Sequence, residues 1–205
     1  MTRLFVVRHG ETEWNALGLL QGAADVPLAP AGREQAAVAA ATLAEHVSAD
    51  ATIVASPLTR AHDTALALGD VLGVPVHVDD RLRERAYGEW EGVTAEAREQ
   101  GWPREVARWR THGDPGIPGF EGHDAVRERM VEALEEWVER APGDVVAFSH
   151  GSSGRVGIMG LLGLSLEHRT LGNLGNAAWS RLTRHDDGAW TLERHAVTAE
   201  TAGAP

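Results

Sequence analysis

The 205-residue sequence contains neither cysteine nor lysine. Without cysteine there are no disulfides, no thiolate metal sites and no cysteine nucleophile. Without lysine, all 19 positive side chains are arginine, which excludes a Schiff-base lysine, a pyridoxal-phosphate anchor and the P-loop lysine. Positive charge is also in deficit, with 19 basic against 30 acidic side chains and a formal net charge of -11. A general nucleic-acid binder shows a basic surplus, so no nucleic-acid partner is expected. An anionic substrate must instead be drawn in by a local basic pocket, against the global field. Long apolar runs are missing too. After Arg3 only Leu4, Phe5, Val6 and Val7 precede Arg8, too few for a signal-peptide core or a membrane span. The expectation is a cytoplasmic protein with no membrane partner.

What is present suits a soluble globular chain, 43% hydrophobic and 24% charged, and the length fits one domain over residues 1–205. Residues 4–7, 52–55, 74–78 and 145–148 are brief apolar runs of buried-strand type. Between them Ala61, Ala65, Leu68 and Leu72 repeat at helical spacing, as do Val126, Met130, Leu134 and Trp137. Pro30 predicts a helix start near residue 31. The alanine-rich stretch 36–44, bracketed by Arg33, Glu34 and Glu45, reads as a buried helix. Alternating strands and helices predict an α/β fold with a largely parallel central sheet. Residues 178–183 and 190–195 flank Asp186-Asp187-Gly188, a hairpin turn that would add an antiparallel pair. Pro103, Pro115 and Pro118, with several glycines, mark residues 101–122 as an inserted flap over the sheet, its outer limits about 93–122. Residues from about 198 to 205 read as a frayed tail. There is no internal repeat and no low-complexity linker.

Chemistry-bearing residues gather where the predicted strands end. Arg8-His9-Gly10-Glu11-Thr12 follows the first run, a block from Ser56 to Arg60 follows the second, Glu84 lies beyond the third, and Ser149-His150-Gly151 follows the fourth. In an α/β sheet, ligands bind at the carboxyl ends of the strands. Two guanidiniums offer planar forks that match phosphate oxygens and stay charged at any working pH. A neutral imidazole attacks phosphorus, and a phosphohistidine splits one hard displacement into two easier ones. A nearby carboxyl group protonates the leaving alkoxide and then takes a proton from water. The glycine after each histidine is expected to let backbone approach the anion. A helix starting at Gly151 would aim its free N–H groups at phosphate. The set predicts phosphoryl transfer without a metal.

Arg8-His9-Gly10, Arg60 and Ser149-His150-Gly151, in this order, resemble the histidine phosphatase superfamily, also called the phosphoglycerate-mutase-like proteins. Leu20-Gln21-Gly22, the stretch through Asp25 to Leu28, Gly32 with Gln35-Ala36, the block from Gly88 to Gly92, and Asn176-Ala177 extend the likeness over residues 3–183. The resemblance implies a three-layer α/β/α sandwich and no metal or organic cofactor. It implies His9 as the phosphorylated nucleophile, with Arg8, Arg60 and His150 holding the transferred group. Glu84 would be the general acid and then the base. Asn15 matches a position that touches phosphate, and Gln21 and Gly22 would line the pocket. The substrate implied is a small phosphorylated metabolite, a phosphoglycerate or sugar phosphate derivative. Oligomeric state stays open, a homodimer among the options.

Within the superfamily the acceptor is water in a phosphatase and a second hydroxyl in a mutase. Glu84-Arg85 followed by Tyr87-Gly88 resembles the mutase version, in which the arginine and tyrosine bind a phosphoglycerate. Against that, the chain is short and lacks the lysine those mutases use. Gly119-Phe120-Glu121-Gly122 also departs from the Gly-Gly-Glu-Ser that many relatives carry in the flap. Asn176-Ala177-Ala178-Trp179 resembles the phosphatase branch, including its glucosyl-3-phosphoglycerate type. Phosphatase is the preferred reading, mutase the runner-up, and a phosphoester-binding module without turnover a third. Other features read as structural. His46, His77, His112, His185 and His195 belong to no motif, and His62-Asp63 lacks a third ligand and reads as helix surface. Trp109 and Trp137 read as packing. Gly151-Ser152-Ser153-Gly154 has neither dinucleotide spacing nor the centred serine of a nucleophile elbow. Arg81, Arg83 and Arg85, interspersed with Asp79, Asp80 and Glu84, read as a solvated cluster. His123-Asp124 faces either the pocket or solvent.

Overall fold

The computed structural model describes residues 2–166 and 170–202. In chain order its elements are β1 (Thr2–Arg8), α1 (Glu13–Ala16), α2 (Pro30–Ala44), β2 (Thr52–Ala55), α3 (Thr59–Leu72), β3 (Val76–Val78), α4 (Ala95–Gly101), α5 (Pro103–His112), α6 (His123–Arg140), β4 (Val145–Ser149), α7 (Gly151–Leu161), β5 (Trp179–Arg184) and β6 (Trp190–Val197). Short 3-10 turns lie at Asp80–Leu82 and Gly88–Trp90. The six strands form one sheet in the order β3-β2-β4-β1-β5-β6. β3, β2, β4 and β1 are parallel, and β5 and β6 add the antiparallel pair. The turn signal holds: Gly188 sits at φ 84 in the tight connection between β5 and β6.

The period-2 geometry of a strand explains the layers. Leu4, Val6, Val54, Val145 and Ala147 point to one face and pack under α6 and α7. Phe5, Val7, Ile53, Ala55, Val146 and Phe148 point to the other, under α2 and α3. Both faces are covered, so the central strands read as unbroken apolar runs. Truncating a residue such as Leu134, fully buried between α6 and the sheet, costs about 2–5 kcal/mol.

Two expectations are corrected and a third gains detail. The alanine-rich helix is buried on one side only, through Ala36, Ala39, Ala40 and Leu43, while Ala37, Val38 and Ala41 are exposed. A helix in an outer layer must turn one side to water, and alanine carries no polarity to mark which. The presumed tail packs as far as it is described: Ala202 is buried in the face under Trp179, and its carbonyl accepts a bond from Arg194 Nη1 at 3.0 Å. Residues 203–205 lie outside the described residues. Most of the flap is helical. Pro103 is the first residue of α5, where its missing N–H costs nothing, and Gly113 is the left-handed residue that ends it at φ 72. Of the prolines and glycines that marked the flap, Pro103 is thus a helix start and Gly113 a helix stop. This segment builds a small apolar cluster of its own around Tyr87, Trp90 and Val106, with Trp109 and Phe120 against it.

Candidate active site

Parallel pairing of β1 with β4 sets Arg8 opposite Ser149, so that His9 and His150 leave the sheet side by side. Their ring centroids are 5.2 Å apart, edge to face. His9 Nδ1–H donates to the Gly10 carbonyl at 2.7 Å, which leaves the Nε2 lone pair free. Burial, then Arg60 and Arg8, push His9 well below the usual imidazole range, and similar causes depress His150. Both rings are neutral near pH 7. Gly10 has a packing task. A Cβ there would lie 2.3 Å from the Gly32 carbonyl oxygen, and one on Gly32 would lie 2.0 Å from that of Glu11. The glycine lets the nucleophile loop rest on the first turn of α2.

His150 is oriented by Ser56, a residue of the matched block to which the sequence assigned no role. Ser56 Oγ accepts the Leu58 N–H at 3.3 Å and lies 2.8 Å from His150 Nε2. A Ser56 hydroxyl that donates to Nε2 places the ring proton on Nδ1. That Nδ1 is buried with no hydrogen-bond partner.

Each arginine of the motif is partly anchored and partly free. Arg60, fully buried, donates to the carbonyls of Ala24 at 2.7 Å and Gly22 at 2.8 Å. Arg8 donates to the Leu174 carbonyl at 2.8 Å. The Nε of each is buried with no partner, an unmet donor of the kind a bound anion satisfies. Glu84 is held tightly. Its Oε1 accepts from Arg85 N, Ser153 N and Ser153 Oγ, each at 2.9 Å, and its Oε2 accepts from Ser152 N at 3.1 Å. The first turn of α7 cradles this carboxylate through Ser152 N and Ser153 N, as the orphan N–H groups of a helix start favour, while Gly151 lines the cavity. Arg129 of α6, absent from the sequence reading, ties the same stretch down through Glu121 and the carbonyls of Arg81 and Arg83. Asn15 spends its carbonyl oxygen on Thr12 N and Asn176 Nδ2, both at 3.1 Å, which leaves its amide N–H groups.

Arg8, His9, Asn15, Gln21, Gly22, Arg60, Glu84, Arg85, Tyr87 and Gly151 all line one cavity of about 750 Å³, and His150 packs behind His9. The solvated-cluster reading fails for Arg85, which is 1% exposed, lies over the Phe120 ring and has Nε and Nη2 unpartnered. It holds better for its neighbours: Arg81 pairs with Asp79, Glu132 and Glu136, and Arg83 with Asp80. Burial pushes the Tyr87 hydroxyl up. The open pair resolves with His123 in the cavity wall and Asp124 exposed. Burial, helped by Arg85 and Arg155, pushes His123 down to about 4. Arg98, Thr111, Arg155 and Asn173 also line the cavity and were not read from the sequence, and Trp109, read as packing, lines it as well. Only Arg155 left a signal, since it sits one helical turn beyond Gly151 on the same face. None of His46, His77, His112, His185 and His195 lines it. Among the described residues, no group of three His, Cys, Asp or Glu side chains is placed to hold a metal ion, and no helix is long and apolar enough to cross a membrane.

Comparison with known proteins fits this site. Glucosyl-3-phosphoglycerate phosphatase of Mycolicibacterium vanbaalenii is 38% identical over 226 aligned positions, which cover 98% of this chain and 96% of the relative. Phosphoserine phosphatase 1 of Hydrogenobacter thermophilus is 33% identical, with 88% and 85% covered. The solved structure of a mycobacterial glucosyl-3-phosphoglycerate phosphatase complexed with VO3 superposes with a TM-score of 0.88 at 33% identity, covering 97% of this chain and all of that one. Residues 4–198 match the histidine phosphatase superfamily (branch 1), and to that family the chain belongs.

Proposed function

We propose that this phosphomonoester hydrolase works through a phosphohistidine at His9, without a metal, on a phosphoglycerate derivative, with glucosyl-3-phosphoglycerate as the favoured substrate. The observation that carries the reading is the lock of His9 Nδ1–H on Gly10 O, which presents Nε2 between two arginines with unmet donors. Arg8, Arg60 and the Nδ1–H of His150 would hold the phosphoryl oxygens, with Asn15 beside them. Nε2 attacks phosphorus as the bond to the leaving oxygen breaks. Glu84 delivers a proton to that oxygen from Oε2, the carboxylate oxygen with a single recorded hydrogen bond. In the second step Glu84 takes a proton from water, the water oxygen bonds to phosphorus, and the N–P bond breaks to release inorganic phosphate. Arg85 and Tyr87 would meet the substrate carboxylate. The names of the relatives support this choice, because phosphoserine and glucosyl-3-phosphoglycerate both carry a carboxylate near the phosphate.

The free guanidinium of Arg85 also suits a mutase. A phosphorus NMR time course in the presence of chelator separates the readings. We expect inorganic phosphate to grow from glucosyl-3-phosphoglycerate faster than from a panel of other monoesters. Conversion of 3- to 2-phosphoglycerate without phosphate release would make the protein a mutase, and a silent spectrum with bound phosphate would make it a binding module.

A further inference from the structure

The catalytic groups account for one part of the cavity lining, and residues of α5, α6 and the segment after α7 account for another, the outer chamber. That outer chamber is walled by the last turn of α5 through Trp109 and Thr111, by the first residue of α6 through His123, and by Asn173. Among the described residues, Glu84 is the one acidic side chain in the lining. We infer that the outer chamber is a sugar subsite in which the Trp109 ring is the stacking platform and Thr111, Asn173 and His123 meet hydroxyl groups. This rests on the phosphatase reading above and adds the residues that select the alcohol portion of the ester.

The chemistry suits a pyranose. Such a ring has apolar C–H faces, which pack on an aromatic surface, and a rim of hydroxyls, each needing a donor or an acceptor once desolvated. Specific pockets combine these two features, an apolar wall and a few placed polar groups. His123 is neutral at working pH and so both donates and accepts. The Asn173 amide offers both as well, while the Thr111 hydroxyl, which donates to the carbonyls of Ala107 and Arg108 at 3.1 Å, is left to accept.

The platform is also rigid before any ligand arrives. Trp109 is held edge to face by Trp90 at 5.5 Å and by Phe120 at 6.4 Å. Gly113 closes α5 directly over His123, for a Cβ at that position would lie 1.9 Å from His123 Nδ1. The helix end and the imidazole therefore fix each other. A preformed aromatic wall spends little entropy on binding.

The test measures kcat/KM for phosphate release from glucosyl-3-phosphoglycerate, 3-phosphoglycerate and a set of nucleoside monophosphates. Proteins compared are the wild type, Trp109→Phe, Trp109→Ala and Thr111→Ala. The wild type should favour the glucosylated ester over 3-phosphoglycerate by tenfold or more. Trp109→Ala should lower that ratio by about tenfold, the worth of one stacked ring. Trp109→Phe should retain most of it. Thr111→Ala, an exposed position that does not threaten folding, should lower the ratio about threefold. A glucosylated preference that persists in Trp109→Ala and Thr111→Ala would overturn the subsite and leave the phosphatase reading intact. So would a wild type that releases phosphate without regard to the sugar, or one that prefers nucleoside monophosphates through Trp109. Failure to release phosphate from any ester would remove the phosphatase reading and the subsite together.

Discussion

The two ends of the cavity are built by different means. The inner end stands on the carboxyl edges of parallel strands, with Arg8, His9 and His150 within a residue or two of strand hydrogen bonds. The outer end stands on α5 and the first turn of α6, held by a small aromatic cluster away from the main core. Strand edges in a doubly covered sheet cannot shift without disturbing the core on both faces, so the inner end is fixed in place for any ester. The outer end can be rebuilt without touching the sheet. Chemistry common to all substrates therefore sits on the sheet, and choice among substrates sits on the helices beside it.

Substitutions at the inner end should accordingly weaken every substrate alike, and the largest effect tests this first. His9→Ala should abolish turnover on all esters, a loss of about 10⁴-fold or more in kcat. Residual activity within tenfold of wild type on any ester would break the contrast, because a nucleophile would then lie elsewhere. Glu84→Gln should cost about 10²–10⁴-fold with alkyl esters and far less with a nitrophenyl ester, whose leaving group needs no proton. Equal losses on both would remove its role as the acid. Ser56→Ala should lower kcat about tenfold on all esters with little change in their ranking, because the imidazole of His150 loses its fixed tautomer. Ser56→Thr, which keeps the hydroxyl, should recover most of that loss, and a change in ranking instead would assign Ser56 to substrate choice.

The smallest effect is on stability. His9, His150 and His123 titrate lower in the folded protein than in the unfolded chain. The unfolded chain thus binds protons first as pH falls. Their contribution is complete above about pH 6.5, and it is lost below that value towards the folded pKa values, for His123 about 4. Each fully buried histidine steepens the decline by roughly 1.4 kcal/mol per pH unit. Melting temperature followed from pH 7 to 4 should fall less in His9→Asn than in wild type, and saturating inorganic phosphate should restore part of the loss. Identical slopes would mean that the inner histidines are already charged in the fold.

Legibility followed the same division. The inner residues were readable because each lies in a short motif next to a strand, where local sequence and tertiary position coincide. Arg85 was readable as a ligand contact by family likeness, but its neighbours in sequence suggested solvent, since burial of one guanidinium among acidic residues depends on Phe120, far along the chain. Trp109, Thr111 and Asn173 come together only in the folded chain, where α5 and the segment after α7 line one cavity, and no spacing in the sequence records that. The use of the α7 start was likewise hidden. An orphaned helix N-terminus is satisfied equally by an external anion or by a carboxylate of the same chain, and Glu84 arrives from a distant segment.

The contact between Gly10 and Gly32 has a consequence for anyone altering the protein. The outward side of α2 can be redecorated with charges, tags or dyes, since nothing packs on Ala37 or Ala41. One position on that helix is closed to such editing. A single methyl group at Gly32 would wedge main chain from main chain and tilt the loop that carries His9, silencing the enzyme from a site where no ligand, proton or charge is handled.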